Sequence, residues 1–129
     1  MKFIRATIGL SVLLLLMTST LPAQGDFNIF FRQFKKAVLK NDRQTIKARM
    51  ASRFEWADGA YTGREAFSFM EENDFADLRR TVLRNRPRSC EAVWSNVKGI
   101  CMDSGPEATY VWMFARERGV WKLFALIGD

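Results

Sequence analysis

The chain has no histidine. That removes the commonest general base and the commonest metal ligand, and with them serine-type triads and most catalytic zinc sites. Cysteine is nearly absent: Cys90 and Cys101 are the only two. In an oxidising compartment such a pair is most simply a disulfide, closing a loop of about a dozen residues for on the order of 3 kcal/mol if unstrained. The alternatives are two reduced thiols or a redox couple, although the spacing is far longer than Cys-x-x-Cys. No acid stands before Asp26, and no internal repeat, linker or low-complexity stretch follows residue 25. No apolar run is long enough for a bilayer: Ile8 to Met17 supplies about ten residues where ~20 are needed.

What stands at the beginning reads as a cleavable secretory signal peptide over residues 1–25. Lys2 and Arg5 form a positive n-region, the apolar run follows, and Leu21–Pro22–Ala23–Gln24–Gly25 offers small residues to a signal peptidase. The cut is placed after Gly25, with Ala23 nearly as good, and residues 26–129 remain as a single domain. An uncleaved amphipathic anchor is the alternative. The apolar run ends without a cysteine, against a lipoprotein, and Arg5 stands alone, against a twin-arginine route. The expected location is therefore periplasmic or secreted, with no transmembrane segment after cleavage.

Charge points away from nucleic acid. The 20 Lys and Arg, less Lys2 and Arg5, against 14 Asp and Glu leave +4 after cleavage. That is below the density of a dedicated nucleic-acid binder, and export makes such a partner a poorer fit still. A chain this size buries roughly two thirds of its unfolded surface, and 11 Phe and 4 Trp, nearly all of them after residue 25, supply one core.

The part after residue 25 divides into helices first and strands second. Phe27, Phe30, Phe31, Phe34 and Val38 recur at three- and four-residue steps, the mark of an amphipathic helix, with Asp26 or Asn28 as its cap. Asn41–Asp42 breaks the pattern, and Asp42 caps a short second helix through Met50. Phe54 and Trp56 suggest a short strand, and Asp58–Gly59 a turn. Thr62 and Glu65 form a capping box for a helix from Gly63 to about Glu72 that buries Phe67 and Met70. Asp74 caps another, with Phe75, Leu78 and Val82 inward, ended by Arg86–Pro87–Arg88. Cys90–Val97, Ile100–Asp103, Ala108–Glu117 and Val120–Ile127 read as four strands. Tyr110, Trp112 and Phe114 share a face opposite Val111 and Met113, and Trp121, Leu123 and Ile127 oppose Phe124 and Leu126. Both faces of this α+β arrangement are apolar, so helices cover one, and a partner subunit or a lined cavity must cover part of the other.

Two stretches resemble a known family. Phe27-x-x-Phe30…Phe34-x-x-Ala37-Val38-x-x-x-Asn41-Asp42 is similar to the opening helix of the nuclear-transport-factor-2-like superfamily, which includes ketosteroid isomerases and SnoaL-type cyclases. Gly119-Val120-Trp121-Lys122-Leu123…Gly128-Asp129 resembles the closing strand of its small exported bacterial members. The resemblance covers about a third of the mature chain, at its two ends. It implies a cone of helices packed on a strongly curved antiparallel sheet, an apolar pocket inside, and homodimers through the sheet. The superfamily's catalytic acid or histidine aligns with no residue of this chain.

Several constellations are open to a functional and a plain structural reading. Tyr61, Tyr110, Trp112, Trp121 and Phe124 could line a pocket for a small apolar ligand, or simply be core. Arg79, Arg80, Arg84, Arg86 and Arg88 gather at a helix end and the loop beyond. They form an anion site for phosphate or carboxylate groups, or a solvated surface that suits the helix dipole. Lys36, Lys40, Arg43 and Lys47 make a basic stripe only if the first two helices run on. Asp58, Asp74, Asp77 and Asp103 are the candidate acids, but two sit in turns and Asp74 reads as a cap. The residues call for no metal and no cofactor. The favoured function is a non-enzymatic binding or interaction module. The alternatives are an isomerase or dehydratase-like enzyme using a buried carboxylate and a Tyr, and an anionic-surface binder.

Overall fold

A computed structural model of the chain describes residues 23–128. The n-region and apolar run of the expected signal peptide lie outside the described residues. Helix α1 (Ala23–Leu39) buries Phe27, Phe30, Phe31, Phe34 and Val38 along one face, as their spacing requires. It starts earlier than expected, so Asp26 and Asn28 lie inside it rather than capping it. Asn41, at φ 56°, ends the run. Asp42 then caps α2 (Arg43–Ala48), accepting from the Thr45 N–H at 3.2 Å and its hydroxyl at 2.7 Å. Because α2 stops at Ala48, Met50 opens strand β1 (Met50–Trp56), where it is still buried.

A hairpin through Ala57–Asp58 leads to β2 (Gly59–Thr62), with Trp56 opposite Gly59 and Arg53 opposite Thr62. This strand was not expected; its four residues are too few and too polar to show a period. Thr62 and Glu65 form the capping box of α3 (Gly63–Asn73), which buries Phe67 and Met70. Helix α4 (Phe75–Arg84) buries Leu78, Thr81 and Val82. Asp74 precedes it but makes no side-chain cap hydrogen bond. The helix ends at Asn85, which takes the left-handed conformation at φ 49°, two residues before Pro87.

The remaining strands are β3 (Arg88–Glu91), β4 (Lys98–Asp103), β5 (Tyr110–Glu117) and β6 (Val120–Gly128). The expected strand to Val97 ends at Glu91, because Ala92–Val97 close into a loop. The Ala92 N–H donates to the Val97 carbonyl at 2.8 Å, and Asn96 sits at φ 56°. Likewise Ala108 belongs to a turn, donating to Gly105, and β5 starts at Tyr110. Arg118 and Gly119 both take positive φ, the two-residue turn that best matches the twist of a β5–β6 hairpin.

The six strands lie in the order β2-β1-β6-β5-β4-β3 as one open sheet. It is mixed, not wholly antiparallel: β1 and β6 run parallel, with Met50 opposite Leu123 and Trp56 opposite Leu126. The chain between them crosses α3, α4 and the β3–β5 meander, and a parallel pair needs a connection of that kind. A second correction lies in β6. Met113 pairs with Ala125 and Phe114 with Leu123, so Phe124 is an extra residue in a bulge. Alternation slips by one beyond it. Leu126 therefore joins the helix face, and Ile127 the opposite face, the reverse of the simple period-two expectation.

The helix face holds the main core, in which Phe114 meets the rings of Phe27, Phe30, Phe31 and Phe34 edge-on at 5.3–6.0 Å. The second face carries Ala51, Cys101, Met113, Ala115, Phe124 and Ala125. Cys90 and Cys101 are joined in a disulfide on this side. The loop after β3 folds back over it. Its Trp94 indole N–H donates to the Trp56 carbonyl at 2.9 Å, and its Ser95 hydroxyl donates to Glu55 Oε2 at 2.7 Å. Part of the cover expected from a partner thus comes from the chain itself.

Candidate functional site

Where β1 ends, the helix face opens. Trp56 closes β1, Asp58 lies in the following turn, Tyr61 stands in β2, Phe69 comes from α3 and Tyr110 begins β5. Together with Ala57 and Gly128 they line a cleft of about 420 Å³. Trp56, Tyr61 and Phe69 meet edge-to-face in a triangle, with ring centroids 6.0–6.2 Å apart. Mutual edge-on contacts of this kind fix ring orientation beyond what burial alone does. Gly128 is needed here: a Cβ would lie 2.9 Å from the Tyr110 ring, which rests against the bare backbone.

The polar chemistry of the cleft is simple. The Tyr61 hydroxyl donates to Asp58 Oδ2 at 2.9 Å. That hydrogen bond to the carboxylate, with some burial, raises the phenol's pKa, so Tyr61 stays neutral and committed as a donor. Asp58 itself is exposed. The cleft therefore offers aromatic walls, one hydroxyl and one solvated carboxylate at its rim.

Of the five aromatic residues singled out in the sequence, only Tyr61 and Tyr110 meet here. Trp112 is fully buried in the core, donating its indole N–H to Asp77 Oδ2 at 2.8 Å. Trp121 packs edge-on to Phe27, under the Arg116 guanidinium. Phe124 lies on the second face. Trp56 and Phe69 were missed as site residues. Trp56 was legible as a strand residue, but Phe69 is half-exposed on a helix face that sequence alone assigns to solvent.

The arginine cluster disperses into local pairs. Arg84 and Arg88 both reach Asp103, at 3.7 and 2.9 Å, and Arg80 reaches Asp77 at 3.4 Å. Arg79 and Arg86 are exposed and form no ion pair among the described residues. Asp77 also accepts from Ser104 at 2.7 Å, so it ties α4 to the β4–β5 turn. Asp103 anchors its own turn through the Gly105 N–H at 3.1 Å. These two candidate acids are thus engaged in holding the fold together. The basic stripe also breaks at Asn41: Arg43 bonds Glu71 and lies over Phe75, and Lys47 lies over Phe67.

Besides Asp74, buried at the start of α4, a second acid is buried that no motif marks. Glu55 is 4% exposed on the second face, on the other side of β1 from Tyr61. Alternation with Phe54 and Trp56 assigns it to solvent, and only the loop that arrives with Ser95 covers it. No cluster of three metal-ligating side chains occurs among the described residues, and no helix there is long and apolar enough to cross a membrane.

No family model matches the chain, and neither the curated proteins nor the solved structures contain a match.

Proposed function

We propose that the protein is an exported, non-enzymatic binding module of the nuclear-transport-factor-2-like kind, whose aromatic cleft receives a small apolar or amphipathic ligand. The observation that carries this is the convergence of Trp56, Tyr61, Phe69 and Tyr110, from four separate elements, on one space of about 420 Å³. Apolar concave surface with a few oriented polar groups is the usual composition of a ligand pocket. The two opening helices and the closing β5–β6 hairpin agree with the family reading, and the disulfide with an oxidising compartment. The loop after β3 also favours a strongly bent sheet. It touches β1 past β4, β5 and β6, and strands spaced ~4.8 Å apart put that contact out of easy reach on a flat one.

The enzyme alternative needs a carboxylate buried beside Tyr61 or Tyr110. Asp58 has the position but is exposed, and Glu55 is buried but faces away.

The test uses N-phenyl-1-naphthylamine, a neutral dye that brightens in apolar surroundings. The wild-type protein should bind it saturably, and Phe69→Ala combined with Tyr110→Ala should weaken binding about tenfold, a loss of ~1.4 kcal/mol. Undiminished binding by the double variant, or no saturable binding by the wild type, would overturn the assignment.

A further inference from the structure

We propose that the second face of the sheet carries a separate site for a primary alkylammonium group, anchored by Glu55 and roofed by Trp94. The site lies across β1 from the aromatic cleft and does not depend on that cleft holding a ligand.

The starting point is an unmet need. Glu55 Oε2 accepts from Ser95, but Oε1 is buried and has no hydrogen-bond partner. A buried carboxylate oxygen without a donor is costly, and buried charge is normally paired. No cation of the described residues lies within ion-pairing distance of Glu55. The missing partner is therefore a donor, preferably a charged one, that is not part of the described chain.

The space beside Glu55 defines its shape. A cavity of about 140 Å³ adjoins Glu55, walled by Val93, Trp94, Ala125 and Ile127, and it borders the aromatic cleft at Trp56, Ala57 and Gly128. It is larger than one water needs, and its walls are apolar, so water filling it would find few partners. A short alkyl chain with a cationic head satisfies both the walls and the acid. Only one carboxylate oxygen is free, because Ser95 holds the other. A guanidinium fork prefers both oxygens of a carboxylate, whereas an ammonium is a compact point charge content with one. The Trp94 indole adds a face of the kind that attracts cations.

The same loop explains access. Glu55, Trp94 and Ser95 also border a second cavity of about 360 Å³ with Arg53 and Glu117. Arg53 stands on that far side, out of the smaller cavity. Glu117 takes the Ser52 N–H on both oxygens at 3.0 Å. Burial pushes its pKa up, but the Ser52 and Arg53 donors and Lys122 outweigh that and hold it below the usual carboxylate range. It adds a standing negative charge near the mouth. Val93 and Trp94 are more than half exposed at the loop tip, an apolar rim for an incoming alkyl chain.

The experiment titrates the full chain with n-butylammonium chloride, using n-butanol as the neutral counterpart and ligand-observed saturation-transfer NMR as the readout. Butylammonium should bind saturably with a dissociation constant of about 1 mM, and butanol should not. Glu55→Gln should weaken binding at least about tenfold while leaving dye binding in the aromatic cleft unchanged, so the two sites can fail independently. Equal affinity in Glu55→Gln, or butanol binding as well as butylammonium, would mean a hydrated hollow and would overturn the site. Should Glu55→Gln not fold, Trp94→Ala decides. A several-fold loss upholds the site, and unchanged affinity overturns it.

Discussion

The two faces of the sheet are built on opposite principles. Toward the helices, large side chains fill the space: Phe34, Phe54, Trp112 and Phe114 are fully buried, and Phe114 is ringed by four phenylalanines of α1. On the other face Ala51, Ala115 and Ala125 keep the surface low, so that a loop can lie against it. That loop is held by a disulfide at its base and two side-chain hydrogen bonds near its tip. One face is stabilised by filling volume, the other by leaving room. Each should be hurt by the reverse kind of substitution.

The largest effect follows from that. Phe34→Ala should cost ~3–5 kcal/mol, because the cavity it leaves is walled by rings that cannot collapse far. On the second face the damaging change is enlargement: Ala115→Leu should cost ~1–3 kcal/mol by overpacking beneath the loop. Urea unfolding of both variants checks the pair, and an Ala115→Leu variant as stable as wild type would dissolve the contrast.

The disulfide tests the second face alone. Cys90→Ser with Cys101→Ser should lower stability by about 3 kcal/mol. Hydrogen exchange should quicken in residues 92–97 by more than the acceleration that the lost global stability imposes on the α1 amides. Equal acceleration in α1 and the loop would show that the two faces unfold as one unit.

The smallest effect sharpens the picture of the helix layer. Asp74, buried where α3 meets α4, has its pKa raised by burial and by the nearby Asp77 carboxylate. A raised native pKa means the folded state holds the proton more tightly than the unfolded chain. The ionised form thus costs stability at neutral pH, and the cost disappears as pH falls through the raised value and then the ordinary carboxylate range. Asp74→Asn should therefore raise the urea midpoint at about pH 7 and leave it unchanged at about pH 3. An Asp74→Asn variant less stable at neutral pH would instead assign the carboxylate a supporting role.

The helix layer was legible because its contacts are local. The Phe27–Val38 spacing, the Asp42 cap and the Thr62–Glu65 box each depend on residues within a turn or two of one another, and each is present. The β5 faces were legible for the same reason. What escaped depends on partners far along the chain or on one inserted residue. The bulge at Phe124 exchanges the faces of Leu126 and Ile127 without leaving a mark in composition. Glu55 looks solvent-facing until Ser95, forty positions on, covers it. The cleft was half legible: both tyrosines were singled out, but their assembly with Phe69 rests on how α3 crosses the β1–β2 hairpin.

The parallel pairing of β1 with β6 has a consequence for the order of events during synthesis. β1 lies between β2 and β6, so its far edge stays unpaired until the final described strand has been made. The core that holds Phe27 to Phe34 and Phe54 is complete only when Leu123 and Leu126 arrive from the other end of the described chain. Such long-range closure is slow. A ribosome delivering this chain hands over something that cannot finish folding on the way out.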